Sequence, residues 1–146
     1  MSRIYQDYEF VVAEASNRPV LQLLGLVFDD DGDDAPGVVY MQFADTLEWH
    51  RFFVQAHIGF WETYDDATIQ EEFDDANENG DRLVDYGPLV GGLPRGLTSA
   101  CSYVGEFDAA NIRLTFDNGT SFVLASMEVD LDSRSHLKVS RADRTL

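Results

Sequence analysis

Apolar and polar residues alternate on both sides of the turn sequence Asp117-Asn118-Gly119, and this alternation is the strongest constraint on the fold. Ile112 to Phe116 precede the turn, and Thr120 to Met127 follow it. Alternation with a period of two is typical of strands that bury one face, and Asn-Gly is a frequent hairpin turn. The sequence therefore predicts an antiparallel β-hairpin in this part of the chain.

Two registers are available to this hairpin, and the side-chain pattern selects one of them. A two-residue Asn-Gly loop would pair Thr115 with Phe122, which places a polar side chain opposite an apolar one. A three-residue loop with Gly119 in the left-handed conformation pairs Leu114 with Phe122 instead. We predict the three-residue loop, because a slip of one residue would move every apolar side chain to the other face. One face of the hairpin then carries Ile112, Leu114, Phe116, Phe122 and Leu124.

Short apolar runs between turn residues predict a mostly β chain. The further predicted strands are Tyr8–Ala13, Val20–Phe28, Val38–Phe43, Trp49–Val54, Ile58–Tyr64, Leu83–Tyr86, Thr98–Phe107 and Val129–Val139. The most apolar of them, Val20–Phe28, is expected to be central and covered on both faces. We predict a β-rich α+β fold, with an antiparallel sheet bent into a sandwich or half-barrel. Residues 1–140 are expected to form one domain, and residues 141–146 a frayed basic tail.

One short helix is predicted after Tyr64. Thr68 and Glu71 have the Thr-x-x-Glu spacing of a capping box, which predicts a helix start at Thr68. Ile69, Phe73 and Ala76 follow at helical spacing and form one apolar stripe. Gly80 is expected to end the helix.

The charge of the chain is strongly negative and unevenly distributed. There are 27 acidic residues against 10 basic ones, a net charge of -17. Between Glu62 and Asp85 there are ten acidic residues and one basic residue, Arg82. Such a field repels phosphates and attracts basic proteins, so we expect no binding to nucleic acid or to anionic membranes. A salt-adapted host is an alternative source of acidity, but it would spread charge over the whole surface.

Three features favour a cytoplasmic location. The longest apolar stretch, Val20 to Phe28, is shorter than the ~18 residues that span a bilayer. The first seven residues lack the apolar segment of a secretion signal. The single cysteine, Cys101, has no partner for an internal disulfide and is expected to be a buried, inert thiol.

The segment from Asp75 to Gly80 resembles the opening of an EF-hand calcium loop. Its candidate ligands are Asp75, Asn77, Asn79 and Asp81, and glycine allows the sharp turn of such a loop. The twelfth position of the pattern is Tyr86 rather than the bidentate glutamate. An acidic helix end is therefore the favoured interpretation, calcium is the alternative, and no other cofactor is expected.

The sequence carries no recognisable catalytic motif, so we expect a binding protein rather than an enzyme. The glycine-rich loop Gly87–Gly96 has Leu93-Pro94 where a phosphate-binding loop needs lysine and serine or threonine. His50 and His57 lack ligands at metal-binding spacing, which favours structural or surface histidines.

Aromatic residues lie within or beside the acidic segment: Trp61, Tyr64, Phe73 and Tyr86. Such a combination suits the recognition of a basic protein, because aromatic rings can anchor the partner and carboxylates can steer its approach. The alternative is that these rings fill the core while the acidic residues point outwards.

The acidic Glu62–Asp85 segment, the Ile112–Met127 hairpin and the compact size together resemble the bacterial immunity proteins that neutralise polymorphic or contact-dependent toxins. The resemblance implies stoichiometric, noncovalent blocking of a basic toxin, often a nuclease, by occlusion. The residues it nominates for partner contact are Trp61, Glu62, Tyr64, Asp65, Asp66, Glu71, Glu72, Asp74 and Asp75. Other functions left open are a DNA-mimic inhibitor of a nucleic-acid enzyme, a calcium-binding module and an acidic, halophile-type domain. An enzyme with a site scattered along the sequence is a further alternative, which a deep pocket joining His50 or His57 to acidic residues would favour.

Overall fold

The computed structural model describes residues 3–7, 10–12, 17–27, 37–55, 58–104, 110–126 and 135–141. The acidic sequence stretch 29–36, His57, the first part of the last predicted strand and most of the predicted basic tail lie outside these residues.

The prediction of a mostly β fold with one helix is confirmed. The strands are β1 (Arg3–Asp7), β2 (Phe10–Val11), β3 (Arg18–Val27), β4 (Val38–Phe43), β5 (Trp49–Gln55), β6 (Ile58–Tyr64), β7 (Arg82–Asp85), β8 (Arg95–Val104), β9 (Ala110–Phe116), β10 (Thr120–Ser126) and β11 (Ser135–Arg141). The helix α1 spans Asp66–Glu78, and a short 3-10 helix spans Gly87–Val90.

The strands form one antiparallel sheet, in the order β1-β6-β5-β4-β3-β8-β9-β10-β11. Two short strands pair beside this path, β7 with β3 and β2 with β8. Among the described residues β1 pairs only with β6 and β11 only with β10, so the sheet does not close. The long meander from β3 to β6 is joined to the meander from β8 to β11 by the β3–β8 pair.

The sheet bends so that its two meanders pack face to face, as the predicted sandwich or half-barrel requires. We call the face turned into this core the inner face. On this inner face lie Leu23, Met41 and Phe52 from the first meander, and Leu114 and Phe122 from the second. All five side chains are buried, which removes their apolar surface from water.

The outer face of the first meander carries a second, smaller core beneath α1. Its buried members are Leu26, Tyr40, Trp49, Ile69, Phe73 and Ala76. Strand β3 contributes Leu23 to the inner face and Leu26 to the outer one, which confirms that this strand is covered on both sides. The predicted apolar stripe of the helix is confirmed, since Ile69, Phe73 and Ala76 are its buried residues.

The predicted register of the hairpin is confirmed. Leu114 pairs with Phe122, and Ile112 pairs with Leu124. Gly119 has a φ of 85°, the left-handed conformation that the three-residue loop requires, and its N–H donates to the carbonyl of Phe116 at 3.0 Å. The chosen face is buried at all five predicted positions.

Two strand predictions are wrong in extent. Within the predicted strand Tyr8–Ala13 the structure describes residues 10–12, and β2 covers only Phe10–Val11 of them. Strand β1, which pairs with β6, lies in a segment that was not predicted as a strand. Strand β8 begins at Arg95 rather than Thr98, because its first residues pair with β3. Cys101 lies in β8 and is half-buried rather than buried.

Gly25 in β3 lies directly under the ring of Tyr86. A Cβ atom at position 25 would lie 2.2 Å from Cε2 of Tyr86, which no real contact allows. Tyr86 is itself buried and packs on Phe122 at a centroid distance of 5.3 Å, so its ring has no room to withdraw. Position 25 therefore requires glycine because a Cβ atom would clash with Tyr86, and not because of an unusual backbone conformation.

We predict that Gly25→Ala lowers the free energy of unfolding by about 1–3 kcal/mol, the usual cost of overpacking a core. Urea denaturation followed by circular dichroism measures this. Gly96→Ala is the matched control, because its added carbon meets only the exposed side chain of Asp117, 3.0 Å away. Equal stability of the two variants would contradict the proposed close contact.

Candidate protein-binding surface

Helix α1 begins earlier than the sequence predicts. The N-cap is Asp65, whose Oδ1 accepts the N–H of Thr68 at 2.8 Å. The predicted capping box at Thr68 is therefore wrong, because the carboxylate three residues earlier already satisfies that N–H and starts the helix at Asp66. The hydrogen bonds from Thr68 hold the pKa of Asp65 below its usual range.

The end of α1 is a glycine-dependent turn. Gly80 has a φ of 86° and donates its N–H to the carbonyl of Asn77 at 3.2 Å. The N–H of Asp81 reaches back to the carbonyl of Ala76 at 3.0 Å, which completes a Schellman motif. Gly80 thus ends the helix as predicted, and the chain turns back towards β7.

The EF-hand-like segment forms this helix end rather than a loop. Asp75 and Asn77 lie in the last turns of α1, and Asn79 is its C-cap. Residues of a helical turn point in different directions around its axis, whereas a calcium loop turns its oxygens towards one centre. The described part of the chain holds no group of three or more His, Cys, Asp or Glu residues placed to hold a metal ion. Calcium binding by Asp75, Asn77, Asn79 and Asp81 stays a prediction.

Aromatic side chains fix α1 to the outer face of the sheet. The ring of Phe73 meets those of Tyr40 and Trp49 edge to face, at centroid distances of 4.9 and 5.3 Å. The indole N–H of Trp49 donates to Oδ1 of Asp66 at 2.8 Å, which ties the first turn of the helix to β5. The apolar stripe therefore sets which side of α1 remains exposed.

A charged network adds a second attachment beneath the middle of the helix. Nε of Arg51 donates to Oε1 of Glu62 at 2.6 Å, and Nη1 donates to both carboxylate oxygens of Glu72, at 2.6 and 2.7 Å. Tyr64 accepts a hydrogen bond from Nη2 at 3.1 Å, and the hydroxyl of Tyr40 donates to Glu72. Arg51 in β5 thus joins a carboxylate of the sheet to a carboxylate of α1.

Burial and charge act in opposite directions on this network. Burial lowers the pKa of Arg51, but the hydrogen bonds and charges of Glu72 and Glu62 outweigh it and raise that pKa overall. Burial and the neighbouring Glu72 raise the pKa of the Tyr40 hydroxyl. Arg51 therefore keeps its charge and Tyr40 its proton over the ordinary pH range.

Two of the predicted contact residues are buried, and their assignment to a partner surface is wrong. Trp61 is 3% exposed, because strand alternation points it to the inner face. Its indole N–H donates to Nδ1 of His50 at 2.8 Å, which identifies His50 as a structural histidine. Glu62 points to the outer face but is 7% exposed and paired with Arg51. Phe73 and Tyr86 are also core residues.

The other predicted contact residues lie at the surface around α1. Asp65, Asp66, Glu71, Asp74 and Asp75 are exposed, and Tyr64 and Glu72 are half-buried. Glu78, which the sequence prediction omitted, is also exposed on the last turn. We call Glu71, Asp74, Asp75 and Glu78 the acidic face of α1.

None of the carboxylates of this acidic face forms an ion pair with another described residue. Two basic residues of the second meander, Arg95 and Arg113, contact residues of that meander instead. Arg95 pairs with Asp117 at 3.1 Å, and Arg113 lies over the ring of Tyr103 at 4.8 Å. The four carboxylates of the acidic face are therefore turned towards solvent without a described counter-charge.

Two clefts flank the helix, and neither was visible in the sequence. The first has a volume of about 580 Å³ and lies at the start of α1, lined by Arg18, Asp45, Thr46, Leu47, Glu48, Tyr64, Asp65 and Asp66. Arg18 in this cleft pairs with Asp45 at 2.8 Å and covers the ring of Phe43 at 3.9 Å. The second cleft lies between α1 and β7.

Comparison with known protein families, with curated proteins and with solved structures finds no match to this chain.

Within the described residues, no helix is both long enough and apolar enough to cross a membrane.

The first prediction for this surface concerns Asp65 and pH. The pKa of Asp65 is lower in the folded protein than in the unfolded chain, where it is about 3.9, so the charged carboxylate stabilises the fold. This stabilisation is complete at pH values above the unfolded pKa and is lost as the pH falls through the folded pKa. Asp65→Asn keeps an oxygen acceptor but cannot titrate. We expect the urea midpoint of the native chain to exceed that of Asp65→Asn at pH 7, and the gap to shrink below about pH 4. A gap that is constant with pH would contradict this.

The second prediction concerns Arg51. Replacing it with glutamine leaves the carboxylates of Glu62 and Glu72 without their counter-charge, so we expect Arg51→Gln to lower the free energy of unfolding by about 3 kcal/mol. Adding Glu62→Gln and Glu72→Gln should recover part of that loss, because the three charges act as one unit. Arg113→Gln, on an exposed arginine, is the control and should cost less than about 1 kcal/mol. Equal losses for the two arginines would exclude the proposed network.

Proposed function

We propose that this chain is an acidic protein-binding domain that neutralises a basic partner by occlusion, in the manner of a bacterial immunity protein. The observation that supports it best is the acidic face of α1, where four carboxylates face solvent without a described counter-charge. A basic partner would supply the missing charges, and its approach would be steered by the net charge of -17.

The position of these carboxylates supports a role in binding rather than in stability. Asp75 and Glu78 lie in the last turn of α1, and that turn contains no basic residue. The C-terminus of a helix carries partial negative charge, so acidic side chains there are unfavourable by a few tenths of a kcal/mol to about 1 kcal/mol each. Residues that oppose the local fold in this way are typical of functional sites.

The attachment of α1 to the sheet also supports the proposal. Phe73 and the Arg51 network fix the helix from below, so the backbone that carries the acidic face is in place before a partner arrives. A preformed helix has little backbone freedom to lose on binding, and this favours affinity. A rigidly attached, charged helix could also cover the active site of a basic enzyme and so block it by occlusion.

The test uses the product of the gene immediately upstream of this chain's gene, which for an immunity protein encodes the toxin. We expect co-expression of the chain to restore growth of bacterial cells that produce this upstream protein. The two purified proteins should associate at a rate that falls steeply between about 20 mM and about 500 mM salt. No protection of growth, or an association rate independent of salt, would overturn the proposal.

Charge variants locate the steering surface in the same assay. The triple variant Glu71→Gln, Asp75→Asn and Glu78→Gln should slow association at low salt by about tenfold and have little effect at high salt. The matched control removes three charges outside α1, with Asp45→Asn, Asp85→Asn and Asp117→Asn. Equal slowing by the two triple variants would show that net charge, and not the acidic face, steers the partner.

A further inference from the structure

The second cleft beside α1 combines an apolar floor with an acidic rim. It has a volume of about 580 Å³ and is lined by Gln70, Phe73, Asp74, Asn77, Asp81, Arg82, Leu83 and Val84. We call it the α1–β7 groove. Its two walls come from consecutive elements, since the Schellman turn at Gly80 leads the chain from α1 directly into β7.

One wall is a polar stripe of the helix. Gln70, Asp74 and Asn77 are spaced at i, i+4 and i+7, which places them on one side of α1. Asp74 is exposed and forms no ion pair with another described residue, and two carboxamides flank it. The wall therefore offers one full negative charge between two side-chain oxygens that accept hydrogen bonds.

The floor is apolar, and the other wall combines the apolar Leu83 and Val84 with the charged Asp81 and Arg82. Leu83 is 40% exposed and Val84 is half-buried, while Phe73 closes the bottom of the groove from the helix. Strand β7 is held in place by pairing with β3 from Leu24 to Val27. The groove is thus a built feature of the sheet and the helix.

We infer that the α1–β7 groove receives an arginine side chain from the basic partner. The methylene stem of arginine packs on apolar surface while its guanidinium group remains at a polar edge, and this matches the floor and the rim. The planar guanidinium group presents several donors at once, which suits a carboxylate flanked by amide oxygens. The inference rests on the proposed function and adds to it the point at which the partner is anchored.

Charge complementarity selects this occupant over an apolar one. A purely apolar side chain would leave Asp74 beside it without a counter-charge, and burying an unpaired charge is strongly unfavourable. A second copy of this chain would bring more negative charge towards the same rim, since its net charge is -17. Arg82, the one basic residue of the lining, opposes a cationic guest and so provides a further test.

The experiment titrates the full-length chain with a blocked peptide of alternating leucine and arginine, about eight residues long and extended over about 27 Å. Nuclear magnetic resonance follows the side-chain amides of Gln70 and Asn77, which report directly on the groove. We expect these signals to shift with the arginine peptide and not with its citrulline counterpart, which has the same shape without the charge. Equal shifts with both peptides would overturn the inference.

Two neighbouring aspartates give a matched pair of variants. Asp74→Asn should lower the affinity for the arginine peptide about fivefold. Asp75→Asn removes the same charge one residue away and should lower the affinity less than about twofold. Leu83→Thr should lower the affinity for the arginine peptide, because it removes apolar surface from the groove. Arg82→Gln should raise that affinity, because it removes a positive charge from the lining. Equal weakening by the two aspartate variants would exclude the groove.

The outcomes separate this inference from the proposed function. If the upstream protein binds with a salt-dependent rate but Asp74→Asn behaves like Asp75→Asn, the acidic domain binds its partner and the anchoring point is elsewhere. If the arginine peptide enters the groove but no salt-dependent association occurs, the groove recognises arginine and the inhibitor function is wrong.

Discussion

The guanidinium group of Arg51 is the interaction on which the placement of α1 depends. It lies between one carboxylate from the sheet, Glu62, and one from the helix, Glu72, and it is itself largely enclosed. Two acidic residues this close would repel each other without it, in a chain that already carries excess negative charge. The aromatic contacts of Phe73 supply apolar attraction, and Arg51 supplies the only described positive charge beneath the helix.

Local pattern was sufficient to predict the hairpin, because its register depends on residues close in sequence. Leu114 and Phe122 are eight positions apart, and the turn between them determines their pairing. The helix stripe of Ile69 and Phe73 was predictable for the same reason. The start of the helix was not, since Asp65 and Thr68 are both acceptable caps, and only the folded chain shows which side chain accepts the hydrogen bond.

The charged network and the grooves were not predictable, because they depend on contacts distant in sequence. Arg51 meets Glu62 through the β5–β6 pairing, and it meets Glu72 only because α1 folds back over that pair. The orientation of Trp61 depends on which face of the sheet becomes the inner one, and alternation within β6 cannot decide that. The prediction of a mixed aromatic and acidic surface therefore included residues that the fold separates, with most of the carboxylates outside and most of the rings within.

The unclosed sheet has a consequence for the protein in concentrated solution. Strands β1 and β11 each present one edge that pairs with no other described strand, and such edges can add strands from neighbouring molecules. Two copies of this chain each carry the same large negative charge and repel one another before their edges can meet. The acidity that would draw in a cationic protein would at the same time protect the molecule from assembling with itself into fibrillar aggregates.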